Sequence, residues 1–509
     1  MSIPMLIEYL NKKSSVNRDN LDGDVGESLS WLTFRFVSPK TERKMYWWGL
    51  PALGLAGVND FFSMFLLYYY NQILGLSAAL AGLALFISVV FDAISDPIIA
   101  YWSDRHKGPY GRRIPFMLVG IFPMGLCCFA LFVLRLGDEQ WILFAQLSVL
   151  VVSFRVAQTI FAVPRYALGV ELYKDYSQRN QLIATDRVFE IGGIAYCLGP
   201  IMLLMPDWNQ PHLYPLAALW VSALLVWSTY TGTMRLSAVE KESLALDQSG
   251  KGQDFSFRLL FLELGALIRN RNWMTLLIAF IFFSVNGGVQ SGDAIYLNNY
   301  LFHFNPRDLF WAGPLHLGGG AIAALVTWRI AKGRNKRDLV LVAGSISFVV
   351  SPLLIGLMAA DYYLGTDIVP KSGGGVLSPL WWVWAFHGLL SGAIWTFFVI
   401  LLGSMFADVV EEHQAATGSR SDGLVLVGRN LVTKLVGSVG VLLAGFMIKW
   451  AGFDDAHTPQ QQEIAVYQFV LIKIILMAVL VPLALVCLSR YSLSSDQHSA
   501  NLKTLGYGP

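Results

Sequence analysis

Apolar residues in this chain come in long, nearly uninterrupted blocks, and that spacing constrains the fold more than any motif does. A helix crosses a bilayer core with about 20 mostly apolar residues. Twelve such runs can be marked off, at approximately 47–70, 78–102, 114–136, 141–168, 182–205, 213–235, 273–301, 309–331, 339–360, 379–407, 424–449 and 464–489. Composition points the same way: of 509 residues 55% are hydrophobic and only 14% charged, with a mean hydropathy of +0.52. A soluble globular chain carries about a quarter charged residues. Several water-facing domains could not be covered with so little polar surface, so lipid must be the solvent over most of the length. An all-α membrane protein is the predicted class. The net charge of +2 gives no reason to expect nucleic acid as a partner. Cys127, Cys128, Cys197 and Cys487 lie in apolar stretches with neither metal-ligand spacing nor a disulfide framework, and read as small packing residues.

The runs divide six and six. Residues 1–45 form a polar N-terminal segment without the apolar core or small-residue cleavage site of a signal peptide. Residues 46–236 hold the first six spans, 237–272 a charged central loop, 273–490 the second six, and 491–509 a tail. Within the central loop, Phe255–Leu267 is apolar enough to predict a helix lying on the membrane surface. Lys and Arg concentrate before span one (Lys12, Lys13, Arg18, Arg35, Lys40, Arg43, Lys44), after span two and after span eight. Short loops on the other side are often acidic, as at Asp138–Glu139 and Asp454–Asp455. Basic loops stay in the cytoplasm, so both termini and the central loop are expected there. Two six-span halves with matching basic loops have the layout of a pseudo-symmetric, two-bundle transporter.

Ionisable groups at bilayer depth are costly and mark candidate functional sites. Span two contains Phe91-Asp92-Ala93-Ile94-Ser95-Asp96-Pro97. Positions i and i+4 share a helix face, which places Asp92 and Asp96 one turn apart, where two carboxylates resist ionising together. A bound monovalent cation, or a proton on one of them, relieves that repulsion; neighbouring Lys or Arg would do so as well. Pro97 has no amide hydrogen, so the Ala93 carbonyl loses its helical partner and is a further candidate ligand. Opposite charges stand in other spans: Arg155 and Arg165 in span four, Arg187 near the start of span five, and Lys434 among the apolar residues of span eleven. Lys434 is either a movable counter-charge for the acid pair or half of a fixed ion pair. Asp60, Glu190, Asp293 and His387 are weaker candidates that ordinary interhelical hydrogen bonds would account for.

After span two comes the turn Asp104-Arg105-His106-Lys107-Gly108-Pro109-Tyr110-Gly111-Arg112-Arg113. Arg112 and Arg113 can complement the C-terminal end of a neighbouring helix or pair with Glu171 or Asp175. Contacts made in one conformation and broken in another would form a gate, and the same residues serve as positive-inside anchors.

Three stretches in register carry a family resemblance. Asp92-Ala93-Ile94-Ser95-Asp96-Pro97 is followed by Gly111-Arg112-Arg113-Ile114-Pro115-Phe116. Pro164-Arg165-Tyr166-Ala167-Leu168-Gly169-Val170-Glu171-Leu172 runs into Asp175-Tyr176-Ser177-Gln178-Arg179. Phe406-Ala407-Asp408-Val409-Val410-Glu411-Glu412 leads through Thr417, Gly418 and Gly423 to Lys434. Together they resemble the glycoside–pentoside–hexuronide:cation symporters, the melibiose permease branch of the major facilitator superfamily. The resemblance implies the major facilitator fold, with twelve transmembrane helices in two six-helix bundles. It also implies rocker-switch symport driven by Na⁺, H⁺ or Li⁺, in a bacterial inner membrane.

Residue by residue, it implies cation binding at Asp92 and Asp96 with Lys434 as the helix-eleven lysine, and places Arg187 and Tyr166 beside the sugar. Asp408 falls among the gating residues with Asp104, Arg105, Arg112, Arg113 and Glu171. The chain departs from the pattern at Ala162, where an aspartate is usual, and at Ala56, for which Asn59 and Asp60 are approximate substitutes. It departs again at Arg165, which stands in place of an aromatic residue. Two sugar-reading carboxylates are thus absent and a cation is added.

The expected function is cation-coupled symport of a sugar, glycoside or hexuronide by alternating access. Arg155, Arg165, Arg187 and Lys434 suggest an anionic group on the substrate, since a guanidinium can clamp a carboxylate or phosphate. A lysolipid or other amphiphile is an alternative cargo. From a different class, an Asp-x-x-x-Asp pair can hold Mg²⁺ for a membrane prenyltransferase, with Asp408, Glu411 and Glu412 as the second acidic cluster. A sensor that keeps the fold and moves nothing has no use for a coupling ion. The partners expected are the bilayer, a small-molecule substrate and a coupling cation, Na⁺ or H⁺, with no resident cofactor or metal and a monomeric chain.

Overall fold

The computed structural model describes residues 39–106, 111–172, 176–246, 269–370, 375–376, 378–417, 422–493 and 495–505. The predicted surface helix at Phe255–Leu267, together with Lys107, Tyr110 and Asp175, lies outside the described residues. The chain divides into two compact units, Met1–Tyr46 and Trp47–Pro509. The first is described only as the start of a helix.

Thirteen helices follow in order among the described residues: α1 Pro39–Phe61, α2 Ala78–Arg105, α3 Ile114–Val133, α4 Gln140–Leu172, α5 Tyr176–Leu204, α6 Leu213–Leu246, α7 Arg271–Tyr296, α8 Pro306–Ala331, α9 Lys336–Leu364, α10 Pro379–Thr417, α11 Asp422–Trp450, α12 Pro459–Ser489 and α13 Ser495–Thr504. Among the described residues, eleven stretches are long and apolar enough to cross a membrane. They match the predicted spans, and α11 occupies the remaining place in the series. α6 runs to Leu246, about ten residues beyond the predicted end of the first bundle.

Local sequence sets the helix starts. Asn270 accepts the amide of Trp273 at 2.9 Å to open α7. Asn305 and Asp308 close a reciprocal capping box at the start of α8, and Thr458 and Gln461 do so for α12, each followed by proline in the first turn. α2 continues through Pro97 without a break. On α3, Val119, Phe122 and Leu126 are largely exposed and recur at helical spacing. Such a stripe fits a face turned toward lipid.

Helices α3, α4 and α6 pack within the first half and α7–α12 mainly among themselves, while the halves meet where α2 packs on α11, α5 on α8 and the Phe62–Leu66 turn on α7. Phe61, Phe65, Phe132 and Tyr214 form an aromatic core in the first half. Phe283, Phe398, Met405 and Phe406 fill that of the second. Small residues bring the α2–α11 contact to backbone distance. A methyl group on Gly445 would lie 2.4 Å from the Ala78 carbonyl oxygen, so only glycine fits there.

The two ends of the helices differ. One carries the basic turns after α2 and α8. At the other, α1 and α7 both finish in wide π-type turns, at Phe62–Leu66, Tyr69–Ile73 and Leu297–Leu301. These turns point side chains across the boundary between the halves. Tyr296 Oη donates to Asn71 at 2.7 Å, Tyr300 Oη to Gln72 at 2.7 Å, and Asn299 to Tyr68 Oη at 2.8 Å. Asp454, from the α11–α12 turn, accepts from Asn71, from Ser77 Oγ at 2.7 Å and from the Ala78 amide at 3.1 Å. That end is sealed.

Candidate functional site

Midway along α2, Asp92 and Asp96 stand one turn apart as the i, i+4 spacing requires. Lys434 of α11 reaches across from the other half and places its Nζ 3.0 Å from Asp92 Oδ2 and 3.1 Å from Asp96 Oδ2. Thr159 of α4 faces the two other carboxylate oxygens, at 2.8 Å from Asp92 Oδ1 and 3.1 Å from Asp96 Oδ1. Its hydroxyl has one proton and can satisfy only one of them at a time. Two carboxylates facing one ammonium leave a unit of negative charge, which a bound cation or a proton would cancel. Asp92 is buried, whereas the Asp96 and Lys434 side chains are 30% and 47% exposed, so water reaches the cluster from one side.

A chamber of about 640 Å³ lies between the halves, lined from both by Asn59, Ser88, Arg155, Ser284, Gln290 and Ser438 among others. Ser88 is one turn before Asp92, Arg155 one turn before Thr159, and Ser438 one turn after Lys434. The acid cluster therefore borders the chamber on its basic-turn side. Arg155 Nη1 donates to Asn59 Oδ1 at 3.2 Å and to Gln158 Oε1 at 3.0 Å.

The other predicted substrate residues lie elsewhere in this conformation. Arg165 is 0% exposed, paired with Asp186 and bonded to the Trp48 carbonyl, with its guanidinium 4.4 Å from the Trp48 ring centroid. No edge of it is open to a ligand here. Arg187 is 72% exposed and pairs with Glu190 at 2.5 Å. Tyr166 is half exposed, edge-on to Trp48, and neither it nor Arg187 lines the chamber. Asp60 is half-buried on α1 beside Asn59. His387 bonds the Val350 carbonyl at 2.8 Å, and Asp293 pairs with Lys473 at 2.7 Å.

At the basic-turn end, Glu171 accepts from Arg113 at 2.6 Å and from Arg112 at 3.2 Å, and Asp104 lies 3.3 Å from Arg113. Arg105 stacks on Tyr101, 4.1 Å from its ring centroid. The second half repeats the device: Lys336, the first residue of α9, meets both oxygens of Asp408 at 2.7 Å. His498 of α13 adds contacts to Asp408 at 3.7 Å and Glu411 at 3.4 Å. Thr159, Asp186, Lys336 and His498 were not among the residues predicted. Asp186 and Lys336 are charges whose partners lie far away in sequence, and Thr159 is a small polar residue in an apolar helix, which carries no signal of its own.

Comparison with known proteins identifies the family. An uncharacterized symporter of Synechocystis sp. is 32% identical over 205 residues, covering 39% of this chain and 38% of that relative. The inner membrane symporter YicJ of Escherichia coli is 21% identical over 457 residues, covering 88% and 90%. The crystal structure of a bacterial homologue of the iron transporter ferroportin superposes with a TM-score of 0.58 at 13% identity, over 88% of this chain and 98% of that one, a likeness of fold. The family described as MFS/sugar transport protein matches residues 47–495. The chain is thus a multi-pass membrane transporter, not an enzyme, and belongs to the MFS/sugar transport family, in its glycoside–pentoside–hexuronide:cation symporter-type branch.

Proposed function

We propose that the protein is a cation-coupled symporter that carries a sugar, glycoside or hexuronide by alternating access, as a monomer in a bacterial inner membrane. The observation that carries this reading is the cluster in which Lys434, from one half, bridges Asp92 and Asp96 of the other. A cation bound at the acid pair displaces the ammonium and loosens that tie between the halves. Without the cation, moving the halves apart strands two carboxylates and an ammonium in a low dielectric. Hydroxyl and amide side chains around the chamber suit a polyhydroxylated solute, and its aromatic wall, Phe62 and Trp395 included, offers faces to a sugar ring. Basic turns belong to the cytoplasmic side. With the opposite end sealed, the conformation is inward-facing and both termini are cytoplasmic.

Uptake into proteoliposomes under imposed Na⁺ or H⁺ gradients, with a panel of labelled glycosides, tests the scheme. Asp92→Asn and Asp96→Asn are expected to lose at least about ten-fold of gradient-driven accumulation, yet to keep substrate exchange without a gradient. Undiminished accumulation by both variants would defeat it.

A further inference from the structure

Each half carries a charge cluster at its basic-turn end, and the two differ in one member. In the first half Asp104 and Glu171 meet Arg112 and Arg113, two acids against two fixed cations. In the second, Asp408 and Glu411 of α10 meet one fixed cation among the described residues, Lys336 of α9. The fourth place belongs to the mostly buried side chain of His498, on α13. Its Nε2 lies 3.7 Å from Asp408 Oδ1 and its Nδ1 3.4 Å from Glu411 Oε2. That Nδ1 and that Oε2 are shut off from water, and among the described residues neither has a hydrogen-bond partner.

A neutral imidazole carries one N–H and would turn a bare lone pair toward one of the two carboxylates. The imidazolium presents an N–H to each. With that proton the second cluster sums to zero like the first; without it one negative charge is left over. A divalent ion is another ligand for such a trio. Here it would have to share Asp408 with an ammonium that already meets both oxygens at 2.7 Å.

α13 reaches the cluster on a strap laid across three helix ends. The carbonyl of buried Tyr491 accepts from Arg337 of α9 at 3.3 Å. The amide and hydroxyl of Ser492 donate to Asn272 of α7 at 3.0 Å, and Asn272 donates to Glu412 of α10 at 2.8 Å. α13 itself packs on α10. The other titratable or charged groups on these elements near the ring are Glu412 and the buried His413 of α10, Arg337 and Asp338 of α9, Tyr491, and Asp496 and Lys503 of α13. Glu412 is bonded to Asn270 and Asn272, and Arg337 pairs with Asp338.

We propose that α13 is a proton-operated latch on the second half. Protonated His498 balances Asp408 and Glu411 and docks the helix; loss of the proton leaves an unbalanced acid beside the Lys336–Asp408 tie and loosens it. Because the docked state gains its contacts from the charged ring, docking is favoured at low pH and lost as pH rises through neutrality. A docked latch also keeps this end of the second half neutral, which weakens its attraction for the basic turn of the first.

Hydrogen exchange of the α13 amides, measured on the whole chain in lipid nanodiscs and corrected for the intrinsic effect of pH, tests the assignment. Two partly exposed ion pairs should make α13 at least about three-fold more protected at about pH 5 than at about pH 8. His498→Ala should show the lower protection at both pH values and His498→Arg the higher at both. Glu411→Gln should shrink the difference, while the amides of α7 stay unchanged throughout. Equal protection of α13 at the two pH values in the wild type overturns the proposal. So does a pH response that survives in His498→Ala, which would assign it to His413 or to an acid. If His498→Ala failed to fold, Glu411→Gln would decide, since an undiminished response with that acid neutral excludes the latch. Protection of wild-type α13 by added Zn²⁺ or Mg²⁺ at about pH 8, absent in His498→Ala, would make the cluster a metal site and also overturn it.

Discussion

Thr159 shows how much of the proposed coupling site depends on residues that carry no charge. Its hydroxyl faces one oxygen of each acid and can donate to only one, so it biases which carboxylate holds a proton or leaves a cation's coordination shell. Thr159→Val keeps the shape and removes the donor. A hydrogen bond to a charged group contributes about 1.5–3 kcal/mol. The half-saturating concentration of the coupling ion is therefore expected to rise about ten-fold or more, with little change in maximal rate. Uptake measured against ion concentration checks this, and an unchanged ion dependence would exclude the residue from the site. Asp92, Asp96 and Lys434 were legible in the sequence because lipid makes charge expensive and the expense marks the position. Thr159 pays no such cost and could be found only by seeing what the acids touch. Arg165 shows the opposite error of reading. It is as costly as Arg155 in the sequence, but Asp186 and the Trp48 carbonyl consume it.

Among the elements, the N-terminal end of α2 is held from the other half. Asp454 accepts the first amide of the helix and the hydroxyl of its N-cap residue Ser77, so it acts as a helix cap supplied in trans. Opening toward that side has to uncap α2 and break the tyrosine and asparagine contacts of the π-type turns. Asp454→Ala removes three acceptor contacts to a carboxylate, at about 1.5–3 kcal/mol each, and should shift the carrier toward opening at that end. A cysteine placed at Ser284, in the chamber, should then react at least about five-fold faster with an impermeant maleimide added from that side. No change in rate would show that the seal does not depend on this cap. The helices themselves were legible from hydropathy. Their crossings were not, because a tight glycine such as Gly445 looks the same in sequence as one that faces open space, such as Gly313.

Over the whole molecule, the two halves repeat one plan. A basic turn follows the second helix of each half and is tied to an acid at the end of the fourth: Arg113 to Glu171, and Lys336 to Asp408. The orientation built on these turns predicts that a cysteine at Asp138 is labelled by an impermeant maleimide in intact cells, and one at Arg334 only after permeabilisation. The reverse pattern would turn the protein over and make the chamber outward-facing. By itself, the amino-acid sequence determined that the chain is helical and lies in lipid over most of its length, and it marked out the acids and the lysine that the structure brings together. Those properties follow from solvation, which acts on each residue according to its own polarity. Tertiary structure alone decided which cation pairs with Asp186 and which with the two acids of α2, which threonine faces those acids and at which end the halves are tied together. Each of these depends on pairings between residues up to 383 positions apart, and neither helical periodicity nor hydropathy records such pairings.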